Sequence, residues 1–330
     1  MIKKFEGQYE YIISVENLLL YWRILESNKK YRKDVSLFKI HLMDNILDLH
    51  KSLKDGTYYH SKYEYFRIND PKPRDIHKAT IRDRIVHRMM YMTLYSYFDS
   101  KFICDSYSCR INKGTHKALL KFTQYSRKVS KNYKKQCWIL KCDVKKFFAS
   151  IDHALLKEII GNYIVDKDIL NLLGRIVDSF HPKETGKGLP LGNLTSQLMV
   201  NIYMNEFDQF IKHKLKVKYY IRYADDFVIL DDDRNMMDDI LLKVHQYLKE
   251  KLKLDLHPNK VSLRMLSSGV DFLGWVHFPK YRVLRTGTKQ RMFRRLEQDL
   301  RKEVVNSYLG LLKWGNSFKL SKIIWNLKNK

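Results

Sequence analysis

The stretch that most constrains this chain is Tyr223-Ala224-Asp225-Asp226. Two β-prone runs flank it, Tyr219-Tyr220-Ile221-Arg222 before and Phe227-Val228-Ile229-Leu230 after. Such runs around a short polar tip predict a tight hairpin. The tip carries two adjacent carboxylates, which repel each other and gain from burial only with a cation between them. Read alone, the tetrad is first an Asp-rich turn, because Asp is a favoured turn residue. A metal site would need further carboxylates from elsewhere in the chain.

One candidate is Asp143. Cys137-Trp138-Ile139-Leu140-Lys141-Cys142 is a nearly continuous apolar run, as a buried strand is, and it ends at this acid. Asp143 by itself could cap the next turn. It is followed, however, by Val144-Lys145-Lys146-Phe147-Phe148, so a carboxylate at the open end of a central strand stands five residues before an aromatic. That pairing suits a bound metal beside a packed sugar ring.

Charge defines the class of partner. The chain has 62 Lys and Arg against 36 Asp and Glu, a net +26. A field of that size favours a polyanion, either nucleic acid or an anionic membrane surface. The plain alternative is a generically basic soluble protein, but the charge is concentrated. Residues 111–136 hold eight Lys or Arg and no acid, with Tyr125 and Tyr133 among them, and residues 281–330 hold thirteen against three acids. Two blocks suggest two phosphate-facing surfaces. A hydrophobic content of 45% excludes a disordered chain, and 330 residues allow two or three subdomains. Cys104, Cys109, Cys137 and Cys142 form no C-x-x-C pair, which argues against structural zinc. The opening Met1-Ile2-Lys3-Lys4-Phe5-Glu6 does not read as a signal peptide, and no apolar run approaches the length of a bilayer span. The expectation is a reduced, cytosolic protein with free thiols and no membrane partner.

In chain order, residues 9–55 read as helices, with Leu18, Leu19, Trp22 and Leu25 on one face and Leu42, Ile46, Leu49 and Leu53 on another. Tyr63 to Ile68 alternates as a strand, broken by the basic, proline-stiffened Asp70-Pro71-Lys72-Pro73-Arg74. Ile81 opens a helix to about Phe98. Asn112-Lys113-Gly114-Thr115-His116 leads into another near Lys117, a place for a phosphate among cations. His116 alone reads equally as a cap or a core hydrogen bond. Helices at about 153–164 and 166–180 precede a glycine-bearing loop, Gly186 to Gln197, which lacks the Gly-Lys-Ser/Thr ending of a Walker A loop. The loop opens an amphipathic helix and is either a contact for a base pair or an ordinary cap. Helical spacing returns at Met237, Ile240, Leu241, Val244 and Leu248. Gly269 to Trp275 begins a second hairpin. The basic block from about 286 reads as helical, with Phe293, Leu296, Leu300, Val304 and Tyr308 on one face.

The order of these parts resembles the palm of reverse transcriptases, over nearly the whole chain from about residue 60. Each motif is weak alone, whereas five in the right order at domain-scale spacing are specific. Asp143 with Phe147-Phe148 is similar to the first catalytic motif, Gly188 through Gln197 to the second, Tyr223 to Asp226 to the third, Lys260 to the fourth and Phe272-Leu273-Gly274 to the fifth. Residues 70–118, with Lys72, Arg74, Arg82, Arg110 and Gly114, resemble the fingers of group II intron-like bacterial enzymes. Group II maturases usually carry Pro-Gln-Gly-Gly in the second motif. Here Leu189-Pro190-Leu191-Gly192-Asn193-Leu194-Thr195-Ser196-Gln197 stands instead, and it resembles the reverse transcriptases of diversity-generating retroelements. Enzymes of antiphage defence carry related motifs. As read, the length leaves no room for a maturase domain, an RNase H or a zinc endonuclease.

The resemblance implies an α+β right-hand polymerase fold. It would comprise an N-terminal helical extension at 1–60, fingers at 61–135, a palm at 136–280 with fingers residues inserted around 153–190, and a basic helical thumb at 281–330. It implies two Mg²⁺ ions, or Mn²⁺, held by Asp143, Asp225, Asp226 and the Val144 carbonyl, with Lys260 as general acid toward the leaving pyrophosphate. Lys72 and Arg74 would bind the triphosphate, Phe148 would stack on the sugar, and Gly192, Asn193, Gln197 and Tyr223 would line the nucleotide site. Arg82, Arg110, Lys113, Gly274 and Trp275 would contact nucleic acid. Implied partners are an RNA template with its primer or cDNA, dNTPs, and a small basic accessory oligomer, for which Asp231-Asp232-Asp233 is a candidate patch.

Overall fold

The computed structural model describes residues 3–27, 29–69, 72–181 and 185–328. Asp70 and Pro71 of the basic segment lie outside them. Four helices lead the chain, α1 (Tyr9–Ile12), α2 (Val15–Glu26), α3 (Lys33–Ile40) and α4 (Leu42–Lys54). The strands β1 (Glu64–Ile68) and β2 (Arg74–Lys78) follow, then α5 (Ile81–Asp99), α6 (Thr115–Val129) and β3 (Trp138–Asp143). Next come α7 (Phe147–Ser150), α8 (His153–Tyr163), α9 (Lys167–Asp178) and α10 (Leu194–Gln209). The hairpin β4 (Tyr220–Tyr223) and β5 (Asp226–Asp231) precedes α11 (Arg234–Leu252) and β6 (Ser262–Met265). The chain closes with β7 (Val270–Phe272), β8 (Trp275–His277), β9 (Arg282–Leu284), α12 (Thr286–Gln298), α13 (Lys302–Leu312) and α14 (Phe318–Lys328).

Two compact units interleave in sequence. Unit one is Met1–Ile103, Lys145–Phe210 and Tyr247–Asp255; unit two is Cys104–Val144, Ile211–Gln246 and Leu256–Lys330. Residues 104–135, expected with the fingers, and the C-terminal block thus both group with the strands that carry the hairpin.

Unit one is mainly helical. Thr80 caps α5, its side chain accepting from the Asp83 amide. Ile85, Val86, Met89, Met90 and Leu94 of that helix are buried, and α5 packs on both α2 and α10. An antiparallel ribbon runs from Glu64↔Lys78 to Ile68↔Arg74. Every residue of β1 is exposed, so its alternation marks no core face. Strand β2 was not expected, because the prolines before it read as a break; it starts just past Pro73, where backbone N–H donors resume.

Unit two is built on an antiparallel sheet of order β4-β5-β3-β6. Ile139, Ile221, Val228 and Leu230 form one cluster with Phe122 of α6 and Phe272 of β7. Burying each such side chain contributes roughly 1.5–3 kcal/mol, which explains why β3 tolerates so few polar residues. A second cluster gathers Trp275, Leu284, Met292, Leu296, Val305 and Leu312. The C-terminal block departs from the single apolar face expected of it. Leu300 is 48% exposed, because the chain breaks at Asp299, whose carboxylate binds Arg295 and Arg301.

Candidate active site

The hairpin folds as its sequence requires. Tyr223 pairs with Asp226, leaving Ala224-Asp225 as the turn. Ala224 takes φ +56, a left-handed conformation that is strained for an L residue. Its carbonyl accepts from Arg222 Nη1 at 3.1 Å, and the other guanidinium nitrogen of this fully buried Arg reaches Ser106 Oγ at 3.1 Å. Thr115 Oγ1 donates to the Tyr223 hydroxyl at 3.1 Å. The register of β3 on β5 then sets Asp143 directly opposite Asp226. The Val144 N–H donates to the Asp225 carbonyl at 3.2 Å, so Asp143, Asp225 and Asp226 share one end of the sheet.

Their electrostatics differ. Asp226 Oδ1 is buried with no hydrogen-bond partner, and Oδ2 lies 4.0 Å from Lys141 Nζ. Burial pushes the Asp226 carboxyl up to about 7; Lys141 opposes the shift, while Asp143, Asp225 and Asp271 add to it. Asp143 Oδ1 is held by Lys260 Nζ at 2.7 Å. Among the described residues no three His, Cys, Asp or Glu side chains close into a finished cage. An orphaned carboxylate oxygen among other acids nevertheless fits a hard divalent cation such as Mg²⁺, which takes oxygen ligands and keeps several waters.

The remaining expected residues fall into three groups. Lys72 and Arg74 are exposed on and beside β2, and Phe148 and Gln197 are half-buried, all in unit one. Gly192 takes φ +110, where a Cβ would meet Ile76 at 3.2 Å, so the residue allows the loop to lie close against β2. Gly274 likewise has positive φ, at the β7–β8 turn. Asn193 differs from its expected place at the templating pair. It is buried and donates to the His77 carbonyl at 3.0 Å, which clasps the loop to β2.

One expected nucleic-acid contact needs correction, and three others have partners within the chain. Trp275 is 1% exposed inside the second cluster of unit two, so it cannot touch a strand. Arg82 gives Nη1 to the Tyr59 carbonyl and Nη2 to Ser52 Oγ, and its guanidinium lies over Tyr58, which makes it a brace. Arg110 Nη1 binds the Ser106 carbonyl and Lys113 Nζ the Cys104 carbonyl, so both fasten their own loop. The run Asp231–Asp233 forms a turn: Asp231 accepts from the amides of Asp232 and Asp233, and Asp233 from those of Asn235 and Met236 at the start of α11. Sequence reasoning missed Arg222, Thr115 and Lys141. Only Arg222 carried a signal, a cation inside an otherwise apolar strand.

The arrangement defines a class. Solved telomerase structures share the fold: one from Candida tropicalis matches with a TM-score of 0.52 at 12% identity over 74% of this chain and 60% of its own, and one from Candida albicans with 0.52 at 11% over 76% and 54%. The fold is therefore the α+β right-hand polymerase fold. The chain belongs to the reverse transcriptase (RNA-dependent DNA polymerase) family, which matches residues 69–277. Among curated relatives, the group II intron-encoded protein LtrA of Lactococcus lactis is 24% identical over 75% of this chain, and protein YkfC of Escherichia coli 26% over 64%. The chain spans 51% of the first and 64% of the second. All four cysteines are free, and no helix among the described residues is long and apolar enough to cross a membrane.

Proposed function

We propose that this protein is an RNA-directed DNA polymerase that extends a primer on an RNA template. The observation that carries the reading is the register pairing of Asp143 with Asp226, with Asp225 in the turn beside them and one Asp226 oxygen unpartnered. Asp143, Asp225, Asp226 and the Val144 carbonyl would hold two Mg²⁺ or Mn²⁺ ions, which when bound stabilise the attacking and leaving oxygens of an in-line displacement. Arg222 and the Val144 amide fix the Asp225 backbone, so the turn carboxylate is aimed before substrate arrives. Lys260, now bound to Asp143, would give its proton to the pyrophosphate leaving group. Lys72 and Arg74 would bind the triphosphate of a dNTP, and Phe148 would stack on its sugar. In domain terms, 136–280 with β3 to β8 would be the palm, 61–135 with the β1–β2 ribbon the fingers, and 281–330 with α12 to α14 the thumb.

The second motif, with Gly192 and Asn193 in place of the group II pattern, favours a diversity-generating retroelement enzyme that errs at template adenines; the alternatives are an antiphage-defence or other group II-like reverse transcriptase and, from another class, a non-catalytic nucleic-acid-binding module. The decisive assay gives purified protein an RNA template, a DNA primer, dNTPs and Mg²⁺. Primer extension is expected, and normal extension by Asp225→Ala would refute the metal assignment. Errors spread evenly over the template bases would count against the retroelement reading.

A further inference from the structure

We infer that unit two carries a separate pocket for one unpaired nucleotide of a single-stranded RNA, set between α6, the β8–β9 turn and the α13–α14 loop. None of the residues assigned to nucleotide addition lines it, so the inference stands apart from the polymerase reading. The cavity measures about 420 Å³, in the size range of small-ligand sites.

Three features of its walls converge. Flat apolar surface comes first. Phe278 and Tyr281 stack on each other at 4.9 Å and 21°, and Trp314 is held by stacking on His116 at 4.0 Å and 18°. Aromatic platforms of this kind accept any base by its π-face. The charge is one-signed as well: Lys280, Arg282 and Lys313 line the pocket and no acid does. Arg282 is committed to the wall, its Nε donating to the Trp314 carbonyl and Nη1 to the Leu119 carbonyl at 3.2 Å. Lys280 and Lys313 are exposed, where they can meet phosphate as point charges.

The third feature is His277, 2% exposed, which lines the cavity with Nε2 buried and unpartnered. Burial keeps the ring neutral, lowering its pKa to about 3, with Arg282 adding to the shift and a hydrogen bond to the Phe272 backbone opposing it. One nitrogen donating to that backbone leaves Nε2 as a bare acceptor. An unmet buried acceptor is costly, and an amino, imino or ribose hydroxyl donor would satisfy it.

A ligand with a flat ring, a phosphate and an N–H or O–H donor is a nucleotide. A paired base presents no free face to such walls, whereas single-stranded RNA offers splayed bases. A free nucleoside triphosphate would need a glycine loop or a helix N-terminus to cradle it, and two lysines do not supply that. Gly315 holds the site together: a Cβ there would meet the Trp275 ring at 2.0 Å, so only glycine lets the α13–α14 loop seat beside the hairpin.

The test crosslinks the full chain to a short single-stranded RNA carrying 5-iodouridine and maps adducts by mass spectrometry. Adducts are expected on Tyr281, Phe278 or Trp314. In fluorescence anisotropy, Tyr281→Ala, at a half-exposed position, should bind that RNA about ten-fold more weakly. Lys280→Glu with Lys313→Glu should weaken binding more than Lys319→Glu with Lys322→Glu, the same charge change on α14 outside the pocket. Adducts absent from the three aromatics, or Tyr281→Ala binding as wild type, would overturn the proposal. Loss of the adducts on adding ATP, but not an equal concentration of inorganic phosphate, would overturn the strand assignment in favour of a free nucleotide.

Discussion

Asp83 is fully buried and Asp226 has one buried carboxylate oxygen, and the fold treats the two aspartates in opposite ways. In unit one, Asp83 is fully buried and accepts from the Tyr58 hydroxyl at 2.8 Å, the Thr80 hydroxyl at 2.6 Å and the Ser61 amide at 3.1 Å. Burial would raise its carboxyl, but His60 with these donors holds it below the usual carboxylate range. In unit two, Asp226 has an orphaned oxygen and acids for neighbours, and its carboxyl rises. A carboxylate solvated by its own chain is a structural tie. One with an unpartnered oxygen beside other acids is prepared for a partner the chain does not supply.

The largest expected effect tests the first half of that contrast. Asp83→Ala strands three donors and should destabilise unit one by roughly 3–5 kcal/mol in urea unfolding. A loss below about 1 kcal/mol would mean that the network is ornamental. Asp226→Asn should do the reverse. In EDTA its melting temperature should equal or exceed wild type, because a repelled charge is removed. Mg²⁺ should then raise the melting temperature of wild type only, and primer extension should fall by about 10²–10³-fold. A variant as unstable as Asp83→Ala would erase the distinction.

Acid offers a milder probe. His87, fully packed between α5 and α10, meets His60 Nε2 at 3.0 Å and Thr195 Oγ1 at 2.6 Å. Burial lowers its pKa to about 3, with His60 adding to the shift, and His277 in unit two is lowered likewise. Between the unfolded value near 6.5 and these folded values, the unfolded chain binds protons that the native one refuses. Stability is therefore complete above about pH 6.5 and falls with pH below it, by roughly 2 kcal/mol per histidine at pH 5. Urea midpoints from pH 7 to 5 check this, and His87→Gln should flatten the slope.

What could be read in the sequence follows from range. The hairpin, β3 and most helices are written in local periodicity, and the five motifs in order pointed to the family. Partnerships over long separations were not visible. Nothing near Asn193 announces His77, 116 positions away, and Trp275 read as a surface aromatic because Gly315, which packs on its ring, lies 40 residues on. The same limit hid most of the Asp83 network, in which Thr80 is a local helix cap but Tyr58 and Ser61 come from one segment 25 and 22 residues earlier. Gly315→Ala should reveal that hidden contact, costing roughly 1–3 kcal/mol in unit two through overpacking.

The smallest effect sharpens the Asp226 side of the comparison at Ala224. Its φ of +56 costs about 1 kcal/mol that glycine would not incur, offset in part by the greater freedom of glycine in the unfolded chain. Ala224→Gly should therefore raise stability by roughly 0–1 kcal/mol. Activity discriminates between two origins of the turn's aim. Arg222 holds the Ala224 carbonyl and the Val144 amide holds that of Asp225, and neither bond needs the alanine methyl. If these bonds set the direction of the carboxylate, extension stays within roughly threefold of wild type, about 0.6 kcal/mol. A larger drop in a more stable protein would show that the strained alanine itself orients Asp225, placing the preparation of the site in the turn rather than in the strand register.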